Sequence, residues 1–248
     1  MTINRSWFAL GSLFVLAVAI GCTEPSPSHD AKAHEHAPAT AHKFSGDYPM
    51  KVVATTGPVA EMARCIGGDH VTVEGLMGPG VDPHLYTPVA SDVRKLSEAD
   101  AIFYNGLHLE GQMTNLFEKM AHKKATFAVT KGLVSRHDKR LREPPEFEGL
   151  YDPHVWHDPM LWGDCASDVA QMLSEFDPAH AADYQKNAEA YRAFLRGRAI
   201  FEQKNPDSFE KAIDEFQRAV ALDPAFALAY TGFADAFSRR GNDLTGAE

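Results

Sequence analysis

His70-Val-Thr-Val-Glu-Gly-Leu76 runs straight into Met77-Gly-Pro-Gly-Val-Asp-Pro-His-Leu-Tyr86 and then Thr87-Pro88. The first segment alternates β-branched residues as a strand does, the second is a glycine- and proline-rich loop, and Thr87-Pro88 reads as the N-cap and first-turn proline of a helix. Working outward, Lys51–Thr55, Ala101–Tyr104 and Ala125–Val129 are further short apolar runs that read as strands. Between them Pro58–Ile66, Pro88–Ala99 and Gly111–Ala121 space their apolar residues to give a helix one buried face. Strands alternating with helices predict an α/β fold with a parallel sheet covered on both sides, because each parallel return needs a crossover. Ligands in such folds gather beyond the carboxyl ends of the strands, where the loop carrying His84 is expected.

A second loop repeats the pattern. Tyr151-Asp-Pro-His-Val-Trp-His157 ends on Asp158-Pro159, again a cap and a first-turn proline, ahead of a helical run to Phe176. Both loops place Asp-Pro-His just before a helix. Proline restricts its own φ and the conformation of the Asp before it, so each histidine leaves a stiff backbone. A neutral imidazole held in a fixed direction is a good ligand for zinc or manganese, and a carboxylate accepting its other N–H can orient the ring. His84 and His154 are therefore the candidate metal ligands, with His157 as an auxiliary.

The 248 residues carry 12 His, and Lys plus Arg number 24 against 34 Asp plus Glu, a formal net charge of −10 that argues against a nucleic-acid partner. Dinucleotide fingerprints, phosphate loops, Gly-x-Ser-x-Gly elbows and His-Glu-x-x-His helices are not found, and the expectation is a binding protein rather than an enzyme. Residues 1–21 read as a signal peptide: Arg5 precedes an apolar stretch from Trp7 to Gly21 that is short for a bilayer span. Ala19-Ile-Gly-Cys22 resembles the bacterial lipoprotein box, which makes Cys22 the expected lipid attachment and predicts a membrane-anchored, extracytoplasmic protein. Cys65 and Cys165 then lie in an oxidising compartment, and whether they pair is left open. Residues 22–49 form a Pro- and His-rich tether whose His29, His34, His36 and His42 are auxiliary metal candidates.

Several quoted segments, in order, resemble one family: Met77–His84, Ala90-Ser-Asp-Val-Arg-Lys-Leu96, Asp100-Ala-Ile-Phe-Tyr-Asn-Gly-Leu-His-Leu-Glu110 and Asp152-Pro-His-Val-Trp156. They are similar to the metal-binding solute receptors of ABC transporters for zinc and manganese, over about residues 50–195. The resemblance implies Rossmann-like lobes joined by a long helix, His84 and His154 as the two first-lobe ligands, a positional role for Glu110, and delivery of the ion to an ABC permease. Asp177-Pro178 through Tyr184, Asn187, Tyr191 and Leu195 read as the start of the linking helix. No counterpart of the second-lobe ligands follows, so the two histidines leave an open site that water, His157, the tail histidines or a second chain could complete.

Beyond residue 195 the pattern changes. Ala212, Phe216, Ala219 and Pro224 fit the small, large, small and turn positions of a tetratricopeptide repeat, and Tyr230, Phe233 and Phe237 begin a second. Residues 196–248 are thus expected to be an all-α appendage that leans on the lobe, pairs with another chain or frays, because an isolated repeat lacks the neighbours that stabilise a stack. Its functional reading is a protein-partner surface, which supplies the alternative function: a metal-receptor lobe that has become an interaction module.

Overall fold

The computed structural model describes residues 43–245, with side chains to Arg240. The expected signal peptide, Cys22 and the four tail histidines lie outside the described residues. Four parallel strands, β1 (Met50–Ala54), β2 (Val71–Gly75), β3 (Ala101–Tyr104) and β4 (Ala125–Ala128), form one sheet in the order β2-β1-β3-β4. β1 pairs with β2 on one side and β3 on the other, so the chain leaves β1 in one direction and returns past it in the other. The carboxyl ends of β1 and β3 flank that reversal, which is where doubly wound sheets open a crevice.

Side-chain alternation divides the core in two. Val52, Ala54 and Phe103 face α1 (Gly57–Gly67), α5 (Pro159–Phe176) and α6 (Ala181–Phe201), whereas Val53, Ile102 and Tyr104 face α2 (Ala90–Glu98) and α3 (Thr114–Ala121). Strands buried on both faces read as continuous apolar runs, and β3 has no exposed residue. Edge strand β2 is only half-buried. A short helix α4 (Lys131–Ser135) follows β4.

Two expected boundaries move. His70 is not in β2: Gly68–His70 make a 3-10 turn, and the His70 ring instead stacks on His180 at 3.8 Å and meets Asp183 at 2.9 Å. Nor do Thr87-Pro88 start α2. The helix begins at Ala90 because the Asp92 carboxylate reaches back to the Val89 N–H at 2.8 Å and also accepts the Tyr86 hydroxyl at 2.8 Å. By contrast Asp158 caps α5 as its sequence implies, accepting the N–H groups of Met160 and Leu161 at 2.9 and 3.1 Å. The end of the expected tether is already anchored, since the Phe44 N–H donates to the Phe176 carbonyl at 2.7 Å and the Tyr48 hydroxyl to Asp177 at 2.8 Å. Cys65 and Cys165 are free thiols, and burial pushes the Cys65 thiol up to about 12.

Helix α6 passes residue 195 without a break and ends at Phe201. It is fixed to α1 by Asn187 Nδ2 on the Ile66 carbonyl and by the Tyr191 hydroxyl on Glu61, each at 3.0 Å. The next helix, α7 (Pro206–Leu222), opens with a reciprocal cap: Asn205 Oδ1 accepts the Ser208 N–H at 2.9 Å and Ser208 Oγ accepts the Asn205 N–H at 3.1 Å. α8 (Ala227–Thr245) packs on α7. The fully buried Phe216 ring of α7 is wedged between α6 and α8, where a Cβ added at Gly197 or Gly232 would come within 2.6 Å of it. Ala219, Phe226 and Ala229 share one apolar cluster with the sheet-covering helices, so α7 and the start of α8 lean on the lobe.

Candidate metal centre

Both Asp-Pro-His loops close by the same device. Asp82 Oδ1 accepts the His84 N–H at 2.9 Å, and Asp152 Oδ1 accepts the His154 N–H at 3.0 Å. Each is an Asx turn two residues long, stiffened by the proline between. The first loop leaves the end of β2, with the Leu76 and Met77 N–H groups bound to the carbonyls of Ala54 and Thr55 at 2.8 and 2.9 Å. The second lies just before α5. These two loops converge, and His84 Nε2 and His154 Nε2 stand 3.2 Å apart.

The ring of His154 is oriented by its own loop. Its Nδ1 lies 2.7 Å from Asp152 Oδ1, so the Nδ1–H donates to the carboxylate and leaves the Nε2 lone pair free. In the neutral pair the His84 Nε2–H then donates to that lone pair. Burial pushes the Asp152 carboxyl up, but the backbone and ring N–H groups of His154 and the nearby Arg142 charge outweigh it and hold the carboxyl below its usual range. The carboxylate behind the ring fixes its direction and its tautomer. Two imidazole nitrogens bound to one tetrahedral zinc at the usual Zn–N distance are separated by about 3.3 Å. The observed spacing is close to that edge, so a cation can be accepted with little movement of either ring.

Beneath the pair lies a buried polar knot. Glu110 accepts the Thr55 hydroxyl at 2.6 Å and the Asn105 N–H at 2.7 Å on Oε1, and the Gly106 N–H at 3.3 Å on Oε2. Burial raises the Glu110 pKa, and those three hydrogen bonds oppose the rise. They hold a turn in which Gly106, Leu107 and His108 all have positive φ, a conformation that costs energy at the two non-glycine positions. From this turn Asn105 Nδ2 donates to the Pro153 carbonyl at 3.0 Å and ties β3 to the second histidine loop. Sequence reasoning found Glu110 but missed Asn105 in this role, because nothing local in the chain links it to a residue 48 positions away.

The auxiliary His157 is not drawn into the pair. It is exposed, with its ring centroid 6.4 Å from that of His154, and Trp156 packs against both rings at 5.3 and 5.4 Å. Among the described residues no cluster of three or more His, Cys, Asp or Glu side chains could hold an ion. An open cleft of about 620 Å³ adjoins His154, lined by Lys139, Arg140, Arg142, Asp152 and His157 among others. Arg140 is already neutralised there by Asp138 at 2.6 Å and Asp164 at 2.5 Å.

Known proteins share much of this sequence and fold. The manganese-binding lipoprotein MntA of Bacillus subtilis (strain 168) is 40% identical over 153 residues, 61% of this chain and 48% of MntA. The zinc-binding protein TroA of Treponema pallidum (strain Nichols) is 38% identical over 144 residues, 58% of this chain and 45% of TroA. An iron ABC transporter substrate-binding lipoprotein, MtsA of Streptococcus pyogenes serotype M1, is 34% identical over 163 residues, 63% of this chain and 51% of MtsA. The solved structure of the periplasmic zinc-binding protein TroA from Treponema pallidum matches with a TM-score of 0.57 at 36% identity, covering 62% of this chain and 55% of that one. This chain spans about half the length of the curated relatives it matches. The family model for ZnuA, zinc-uptake complex component A periplasmic, matches residues 52–199, which is every element from β1 to α6 and neither α7 nor α8. Since that match takes in more than half of the sequence, the chain belongs to the ZnuA family of metal ABC transporter solute-binding proteins.

Proposed function

We propose that this protein captures a divalent transition-metal ion outside the cytoplasmic membrane for delivery to an ABC permease, with His84 and His154 as its ligands and Cys22 as its lipid anchor. The observation that carries the reading is the 3.2 Å approach of two Nε2 atoms from loops 70 residues apart, one of them oriented by a carboxylate. Imidazole ligands favour zinc over the harder manganese ion, and zinc is the first choice here with manganese second. Both ligands are reachable from solvent, which suits a carrier that must hand its ion on. His157 and the tail histidines 29, 34, 36 and 42 serve at most to raise the local metal concentration. No step of this function makes or breaks a covalent bond.

Calorimetric titration with zinc tests the proposal. His84→Ala and His154→Ala should each weaken binding by at least tenfold, and the double variant should retain only the weak binding of the tail. Undiminished tight binding in the double variant would remove these residues from the site.

A second reading concerns α7 and α8. The seating of Phe216 between Gly197 and Gly232 supports a tetratricopeptide-like packing, and Tyr230 and Phe237 are left exposed on α8 for a protein partner. A photo-crosslinking residue placed at position 237 should give a discrete product in cells; a featureless smear would sink that reading.

A further inference from the structure

Asp92 is a buried carboxylate that takes no part in ligation, and we propose that it is the positioning residue for His84, acting through the Tyr86 hydroxyl to hold the first histidine loop in register with the second. This role presupposes that His84 is a metal ligand. Asp82 accepts the His84 N–H at 2.9 Å, and the Val81 and Leu85 N–H groups reach the carbonyls of Gly78 and Asp82, each at 3.3 Å. All three bonds close the loop on itself, and none ties it to the lobe. At Gly78 and Gly80 a Cβ would meet only open space. The loop is therefore placed by its two ends. One end is Met77, bound to the Thr55 carbonyl at 2.9 Å. The other is Tyr86, two residues after His84, whose ring packs on the apolar cluster that includes Leu76, Met77, Leu96 and Ile102, and whose hydroxyl donates to Asp92 Oδ2 at 2.8 Å.

Asp92 is suited to be the fixed point. It is 5% exposed in the first turn of α2, where the same Oδ2 accepts the Val89 N–H at 2.8 Å. A capping carboxylate needs only the helix N–H, but burying it calls for further hydrogen bonds, and the Tyr86 hydroxyl supplies one. Thr87 precedes a proline, which keeps it out of the helical region, and Val89 is extended, so Asp92 fastens Tyr86 across a stretch with no helical bonds of its own. Burial and the Asp92 charge push the Tyr86 hydroxyl up to about 12, and it stays a donor across the physiological range. His154 has a carboxylate on its ring and Asn105 on its loop. Among the described residues the ring of His84 has no such carboxylate, so its direction depends on where the loop stands.

Calorimetric titration of the full chain with zinc tests this role, with tail binding removed by His29→Ser, His34→Ser, His36→Ser and His42→Ser. Tyr86→Phe deletes the hydroxyl, keeps the ring and should weaken binding about tenfold. Asp92→Ala should lose at least as much. Asp92→Asn should recover most of that loss, because both bonds fall on one oxygen that an amide can supply. The route through His84 shows in a cycle: Tyr86→Phe should still cost about tenfold in the His154→Ala chain but less than about twofold in the His84→Ala chain. An equal loss in both backgrounds, no loss in Tyr86→Phe alone, or Asp92→Asn as weak as Asp92→Ala would each overturn the role of Asp92 while leaving metal capture intact. Undiminished binding in His84→Ala itself would overturn both.

Discussion

Asn105 governs the position of His154 without touching it: its Nδ2 donates at 3.0 Å to the carbonyl of Pro153, the residue just before the ligand. The same amide nitrogen also meets the Gly106 carbonyl at 3.0 Å, and the Asn105 carbonyl accepts the Thr130 hydroxyl at 2.7 Å. Backbone and side chain of this one residue thus join the ends of β3 and β4 to the loop before α5. Asn105→Ala should release Pro153 and leave a buried carbonyl unpaired, at a cost of about 1–3 kcal/mol in stability. Zinc affinity should fall about tenfold or more, as for the loss of other groups that orient a ligand. Equilibrium denaturation and calorimetry on the same variant check the pair, and unchanged affinity at reduced stability would confine Asn105 to a folding role.

The two loop aspartates offer a sharper contrast. Asp82 bonds the backbone of its histidine, whereas Asp152 bonds both the backbone and the ring. An Asn at either position keeps an oxygen for the turn. Asp152→Asn should therefore lower zinc affinity by about 10–100-fold through the lost carboxylate behind the ring, while Asp82→Asn should change it by less than about threefold, within the cost of one exposed hydrogen bond. Equal losses in the two titrations would mean that the turn, and not the ring contact, sets the affinity.

Much of this arrangement is legible in the sequence, for reasons that differ from element to element. β1 and β3 are readable because both faces are buried, and Val52-Val53 and Ile102-Phe103 carry that burial as unbroken apolar runs. The site loops are readable because Asp-Pro-His sets its own geometry. Long-range facts are not: His70 leaves the strand for a ring stack with His180, and α2 starts where Asp92 reaches back rather than at Thr87-Pro88. The change of pattern near residue 195 has no counterpart in the backbone of α6, since Leu195 and Gly197 sit in continuous helix. What changes there is the partner: Gly197 receives Phe216 of α7.

That contact gives a prediction in which the sign is informative. Alanine in place of a mid-helix glycine normally stabilises by about 1 kcal/mol. At Gly232 the new Cβ would stand 2.6 Å from the Phe216 ring, well inside contact distance. Overpacking of this kind costs about 1–3 kcal/mol, so Gly232→Ala should destabilise on balance. Phe216→Ala should cost about 3–5 kcal/mol, and Gly232→Ala combined with Phe216→Leu should lose less than the sum of its parts. Thermal melts of the unsubstituted chain, the three single variants Gly232→Ala, Phe216→Ala and Phe216→Leu, and the double variant check this; a stabilising Gly232→Ala would mean that the wedge is loose.

Acid sensitivity should trace in part to Asp177, which gathers three partners at the amino edge of the sheet. Its Oδ2 accepts from Tyr184 at 2.5 Å and from the His180 ring at 2.9 Å, and its Oδ1 from Tyr48 at 2.8 Å. Burial pushes the carboxyl up, but these three hydrogen bonds outweigh it and hold the pKa below the usual value. A carboxyl whose pKa is lower in the folded chain stabilises the fold above its unfolded pKa of about 3.9 and loses that contribution as pH falls through the folded value. Stability should accordingly decline below about pH 5. Asp177→Asn should cost about 1.5–3 kcal/mol at neutral pH, the worth of hydrogen bonds to a charged group, and should flatten the acid limb. Urea midpoints measured at intervals from pH 7 to about pH 3 resolve the two effects. An Asp177→Asn curve parallel to that of the unsubstituted chain would assign the acid loss to other carboxylates, because a group that no longer titrates cannot contribute a slope.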